Sequence, residues 1–205
     1  MKQNSEIRAA ARGALSGNWA NAVVALIIFE AIVYVANVLP VIGTIGSFVV
    51  GGPLAYGLIL LFLGIARKGE TDFNVLFKGF NFNDNNSGLF IRLLGAYILS
   101  TIFILLWSLL LIIPGIIAGL GYSMIFYIFA DNPDISISDA LKQSKKMMYG
   151  YKWKLFLLQL SFIGWALLCI LTFGIGFLWL GPYMQAATTQ FYLELKKEHG
   201  YGKMM

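Results

Sequence analysis

Glu30 is the only acidic residue inside any long uncharged run of this 205-residue chain. Inserting a carboxylate at that depth costs about 3 kcal/mol on translocon scales, so such a group marks a functional site or finds a partner. Two readings stay open. Glu30 is a candidate intramembrane ion or proton site, or it is a structural carboxyl satisfied by a neighbouring hydroxyl or by the amides around Gly51-Gly52-Pro53. The absence of a basic residue at comparable depth weakens a pump.

The remaining polar groups in apolar surroundings are uncharged. Gln185, Thr188 and Thr189 follow at i, i+3 and i+4, and Gln159 precedes Ser161. These are read as polar contacts between helices, each contributing roughly 0.6 kcal/mol. Basic residues gather beside apolar positions of helical period. Arg8 and Arg12 accompany Ile7/Ala10/Ala11/Ala14, and Lys142, Lys145 and Lys146 lie opposite Ile137/Ala140/Leu141 with Met147 and Met148 following. A third stretch, Phe73/Leu76/Phe77/Phe80, has the same period. Basic amphipathic helices beside membrane spans lie in the headgroup layer. Arg8, Arg12, Lys142, Lys145 and Lys146 are therefore candidate contacts for lipid headgroups or for a partner.

Catalytic chemistry finds little to work with. The single cysteine, Cys169, sits in an apolar run and the single histidine, His199, follows the last one, so no metal cluster or disulfide framework is expected. Phosphate-binding loops, zinc-protease and serine-hydrolase signatures are missing. A dyad of Ser144 with Lys145 or Lys146 fails because adjacent helical residues do not face one another. No enzyme, catalytic residue, metal or cofactor is expected.

The elements that hold these residues follow from composition. Hydrophobic residues make up 59% of the chain, charged ones 12%, and the mean hydropathy is +0.75. Soluble domains carry about 25% charged residues. Apolar segments recur at Asn18–Leu39, Gly46–Ala66, Phe90–Ile113, Gly115–Ala130, Leu155–Phe173 and Phe177–Tyr192, each near the length a bilayer crossing requires. The fold class expected is all-α: a polytopic membrane protein of six transmembrane helices in three helical hairpins, with short amphipathic cytoplasmic helices. Links after the first, third and fifth spans are short, uncharged and rich in Gly and Pro. Fourteen of the 15 Lys and Arg fall in the other links and the termini, and Arg92 lies at the inner boundary of the third span, close enough to the interface to snorkel. By the positive-inside rule that side is the cytoplasm, with both termini there. The run Ala20–Leu39 is too long for a signal-peptide core. The net charge of +5 then reflects an anionic inner leaflet rather than nucleic acid. Pro53, Pro114 and Pro182 are expected at or near the starts of the even-numbered spans, Pro53 a turn or two inside its segment, which leaves open whether residues 41–52 are helical or partly non-helical and re-entrant.

Gly52-Pro53 aligns with Gly181-Pro182, and the same shift sets Phe62 on Phe191 and Arg67 on Lys196. Ile7, Ala10, Ala11 and Ala14 meet Ile137, Ala140, Leu141 and Ser144, and Trp19 corresponds to Trp153. Three parallel repeats are expected, at 5–68, 72–130 and 137–197, within a single membrane domain.

Longer motifs carry a resemblance. They are Arg12–Trp19, the Gly52-Pro53 corner, Trp107-x-x-Leu-Leu-x-Ile-Ile-Pro114-Gly115, Ala140-Leu141-x-x-Ser144-x-x-Met147-Met148-x-Gly150, Leu160–Trp165 and Pro182-Tyr183. In this order the chain resembles the bacterial integral-membrane family known as "domain of unknown function 975". The resemblance implies a multi-pass plasma-membrane protein and supplies no reaction, ligand or functional residue. The expected function is a non-enzymatic scaffold or accessory protein that engages anionic lipid, or a protein partner or second copy, through basic cytoplasmic helices. The rival is a small transporter or channel subunit with Glu30 as its proton or cation site.

Overall fold

A computed structural model describes residues 1–38, 42–67, 72–80 and 87–200. Leu39, which ends the first expected span, position 41 of the segment 41–52 and position 68 of the first expected repeat lie outside them. The described residues form α1 (Asn4–Leu15), α2 (Trp19–Asn37), α3 (Ile42–Ala66), a 3-10 helix (Phe73–Phe80), α4 (Ser87–Leu110), α5 (Ile112–Tyr122), α6 (Ile125–Asp131), α7 (Ile137–Met147), α8 (Lys152–Leu160), α9 (Ile163–Leu171) and α10 (Phe177–Glu198).

Among the described residues five stretches are long and apolar enough to cross a membrane: Trp19–Asn37, Val49–Ala66, Gly88–Leu109, Ile112–Asp131 and Lys152–Leu171. The protein is thus all-α and polytopic. The six expected spans differ in two respects. Two stretches are each made of two helices, broken at Ser123-Met124 and at Ser161-Phe162. The five also leave out α10, whose later half carries Gln185, Thr188, Thr189 and Gln190 and then Glu194, Lys196, Lys197 and Glu198.

Proline placement resolves what the sequence left open. Pro114 does occupy the first turn of α5, but Pro53 lies in the interior of the 25-residue α3, which is helical from Ile42 through Gly52 rather than re-entrant. Pro182 stands within α10. Membrane helices tolerate such prolines because neighbouring elements shield the freed backbone, and α3 has such a neighbour here. A Cβ on Gly52 would fall 2.9 Å from the carbonyl oxygen of Leu93 on α4.

The chain divides into two compact units, Met1–Ile28 with Leu61–Asp72 and Trp153–Met205, and Phe29–Leu60 with Phe73–Lys152. In the first, α1 packs antiparallel on α10, burying Ile7, Ala11 and Leu15. Lys2 pairs with Glu194 at 3.0 Å near one end of α1, and Arg12 meets Tyr183 near the other. Burial pushes the Glu194 carboxyl up, but hydrogen bonds and charge from Lys2 and Lys197 outweigh it and hold the group below the ordinary carboxylate range. Gly17, at φ +83°, ends the helix and turns the chain into α2.

In the second unit α7 packs on α4, α5 and α6. Ser136 caps it by accepting the Asp139 N–H at 3.2 Å. Ala140, Leu141, Ser144 and Met147 face inward while Lys142, Lys145 and Lys146 are exposed. The helical period expected for 73–80 is replaced by 3-10 winding, which buries Leu76 and Gly79 and leaves Phe77 exposed. Gly57 and Gly79 explain the close seat: a Cβ on either would collide with backbone, that of Leu76 or of Pro53.

Three corners share one device, a glycine seven residues after a small residue that it packs against. A Cβ on Gly43 would lie 2.8 Å from the Ala36 carbonyl oxygen, one on Gly115 would strike the Ser108 side chain, and one on Gly176 would lie 2.6 Å from the Cys169 sulfur.

Candidate functional site

The first unit contains a cavity of about 520 Å³ lined by side chains of α1, the start of α2, α9 and α10. Arg8 and Arg12, one turn apart on α1, form its cationic wall. The Arg12 Nη1 donates to the Tyr183 hydroxyl at 2.6 Å, and its guanidinium lies 5.8 Å from that ring's centroid. The Tyr183 hydroxyl reaches back to the Arg8 carbonyl at 3.5 Å, and Phe162 packs edge-on against the same ring at 5.1 Å. The opposite wall is apolar: Trp19, Trp165, Leu168, Trp179 and Leu180. The α9–α10 corner closes it. There the Thr172 hydroxyl donates to the Cys169 carbonyl at 2.9 Å and accepts the Gly176 N–H at 3.2 Å, while Gly174 takes φ +86°.

The second unit has a smaller counterpart of about 350 Å³, lined by Trp107, Pro114, Ile117, Tyr122, Lys145 and Lys152 among others. Here the cations are lysines. The Lys145 Nζ sits 5.0 Å from the Tyr122 centroid and 5.9 Å from that of Phe103, two rings stacked at 6.0 Å. Ser144, fully buried, donates to the Gly121 carbonyl at 2.8 Å and ties α7 to α5. The hydroxyl weighed above as half of a dyad is therefore a structural clamp.

Three residues chosen as polar helix contacts come together. Gln159, Gln185 and Thr188 border a space of about 300 Å³ in the first unit with Leu26, Phe162 and Met184. The Thr188 and Thr189 hydroxyls donate within their own helix, to Met184 and Gln185 at 3.0 Å each. Lys142 and Lys146 stand exposed on α7, and Glu30 stands exposed on α2. Arg92, read from sequence as an interfacial side chain, pairs with Asp134 at 3.3 Å.

Sequence reading missed Tyr183 as the partner of Arg12, Lys152 as a cavity residue, and the tryptophans as cavity walls. The i, i+4 spacing of the two arginines was the available signal. The partner, 171 residues away, left none.

The apolar stretches and these amphipathic cavities define a multi-pass membrane protein. A family model described as "Protein of unknown function (DUF975)" matches residues 1–118 and 108–199, and the chain belongs to that family. No curated protein and no solved structure matches it.

Proposed function

We propose that the protein is a non-enzymatic, six-span protein of the plasma membrane, built as three hairpins with both ends on the cytoplasmic side, that engages anionic lipid through the basic faces of α1 and α7. The observation that carries the reading is the split face of α7, with Leu141, Ser144 and Met147 buried and Lys142, Lys145 and Lys146 exposed. A lysine near an anionic leaflet contributes about 1 kcal/mol of attraction, so three on one face are enough to set a lipid preference.

The pairing of Lys2 with Glu194 supports an even number of crossings, because segments held side by side lie on one face of the membrane. Five apolar stretches then call for a sixth, and the segment Phe177–Tyr192 of α10 is the one that remains. The shared glycine corners at Gly43, Gly115 and Gly176 support three hairpins of common ancestry. The amphipathic segments dock on hairpin helices in each case: the 3-10 helix against both α3 and α4, α7 on α4 and α5, and α1 on α10. The transporter reading lacks comparable support, since Glu30 is exposed and no described residue pairs with it.

The test is a charge reversal of Lys142, Lys145 and Lys146 to Glu in lipid nanodiscs. The wild type should melt higher in phosphatidylglycerol than in phosphatidylcholine, and the triple variant should lose that difference. An unchanged difference sinks the proposal.

A further inference from the structure

We infer that the arginine cavity of the first unit binds one membrane lipid with a net anionic phosphate headgroup. The phosphate is held by Arg8 and Arg12 and the hydrocarbon lies against Trp165, Leu168 and Trp179. This deepens the lipid-engaging reading above, on which it rests, from attraction to a whole leaflet to a single saturable site.

Charge comes first. The cavity lining contains two guanidinium groups and no carboxylate, and no described residue pairs with the Arg8 guanidinium. Guanidinium forks match phosphate oxygens bidentately, and two of them one helical turn apart on one side of α1 converge on a single anion. Arg12 is also held in place by Tyr183 at 2.6 Å, so part of the ordering that binding requires is already done.

Polarity comes second. The wall facing the arginines is apolar and open, with Trp165, Leu168 and Trp179 exposed by 57, 54 and 53%. An apolar opening beside membrane-length helices admits an acyl chain sideways. A free phosphate would leave this wall uncovered, and a neutral lipid would leave the arginines unmatched. The volume of about 520 Å³ suits an anionic headgroup with the first part of its chains, within the roughly 300–1,000 Å³ of ordinary ligand sites.

Cys169, the chain's one cysteine, lines the cavity although only 8% exposed, so its alkylation reports occupancy in the unaltered protein, and where the thiol does not react the lipid count by native mass spectrometry decides alone. Purified full-length chain in detergent is alkylated with a maleimide while dioctanoyl phosphatidic acid, dioctanoyl phosphatidylcholine or inorganic phosphate is titrated in. Phosphatidic acid should slow the reaction about fivefold or more and saturate, with native mass spectrometry counting one lipid per chain, and the other two should do little. Arg8→Gln with Arg12→Gln should raise the half-saturating concentration about tenfold, and the Lys pair, which keeps the charge but not the fork, should fall between. Equal protection by inorganic phosphate would reassign the site to a free anion, and equal protection by phosphatidylcholine would reduce it to an apolar groove. Either result overturns the inference, as does unchanged protection in the Gln variant. If the Gln variant does not fold, the wild-type titrations and the Lys pair decide. Failure here with the nanodisc preference intact removes this site alone, whereas loss of that preference removes the broader reading.

Discussion

In the first unit the cation of an amphipathic helix is hydrogen-bonded to its aromatic partner, and in the second it only lies over aromatic rings. Arg12 reaches the Tyr183 hydroxyl at 2.6 Å, whereas Lys145 stands 5.0 and 5.9 Å from the centroids of Tyr122 and Phe103. The supporting scaffold is otherwise alike. Each cavity borders a helical corner where a glycine packs on a small residue seven positions earlier, Gly176 on Cys169 and Gly115 on Ser108. The contrast therefore lies in side-chain chemistry. A planar guanidinium with directional donors fixes one geometry, while an ammonium on a flexible stem interacts with whatever charge or ring is near. One scaffold can thus present a fixed anion site in one place and an adaptable basic surface in another.

The largest expected effect attacks what the two regions share. In Gly115→Ala the new methyl collides with Ser108, and in Gly176→Ala it meets the Cys169 sulfur at 2.6 Å and its Cα at 3.2 Å. Overpacking of this kind costs about 1–3 kcal/mol, and both variants should lose that much in a denaturant titration of the reconstituted protein. Gly164→Ala is the control. It lies inside α9 with open space around it, and replacing helical glycine by alanine there should be neutral or stabilise by up to about 1 kcal/mol. If Gly115→Ala behaves like Gly164→Ala, the corners are not the common scaffold described.

A middle-sized effect separates the two regions. Tyr183→Phe removes the acceptor of a charge-assisted hydrogen bond and should destabilise by about 1.5–3 kcal/mol. Tyr122 contributes its ring to Lys145 and Phe103, and Phe keeps that ring, so Tyr122→Phe should stay within about 0.5 kcal/mol. Comparable losses in both variants would erase the distinction between a tied and an untied cation.

What could be read in the sequence was local. The lysine face of α7 follows from helical period, and Lys142, Lys145 and Lys146 do share the exposed side of that helix. Hydropathy located the apolar stretches but could not detect the breaks at Ser123-Met124 and Ser161-Phe162, because both fall inside uncharged runs whose average hydropathy stays high across them. Pro53 left the path of residues 41–52 open. A local rule ends helices at proline, and α4 packing close to Gly52 overrides it. The arginine site was half visible. The spacing of Arg8 and Arg12 places both on one side of a helix, but the hydroxyl and the tryptophans that complete the cavity come from α2, α9 and α10, and no short-range rule connects positions so far apart.

The smallest effect concerns how α1 is fastened to α10, and so sharpens the comparison from the side of the tied cation. Glu194 bonds Lys2 at 3.0 Å and Lys197 at 3.2 Å. Burial alone would raise its pKa, and the two lysines lower it by more, so the folded value lies below the unfolded one. Folding then favours the ionised carboxyl. Its stabilisation is complete above the unfolded value of about 4.3 and fades as pH falls through the lower folded value, where protonation releases Lys2. For a partly exposed pair of this kind the contribution is under about 1 kcal/mol. Melting curves of wild type and Glu194→Gln between pH 7 and pH 3 should differ most near neutrality and converge toward the acid end, and high salt should shrink the gap. A gap that instead widens on acidification would mean that the neutral carboxyl, not the ion pair, holds the two helices together, and the tie between Arg12 and Tyr183 would then have to hold α1 in place without it.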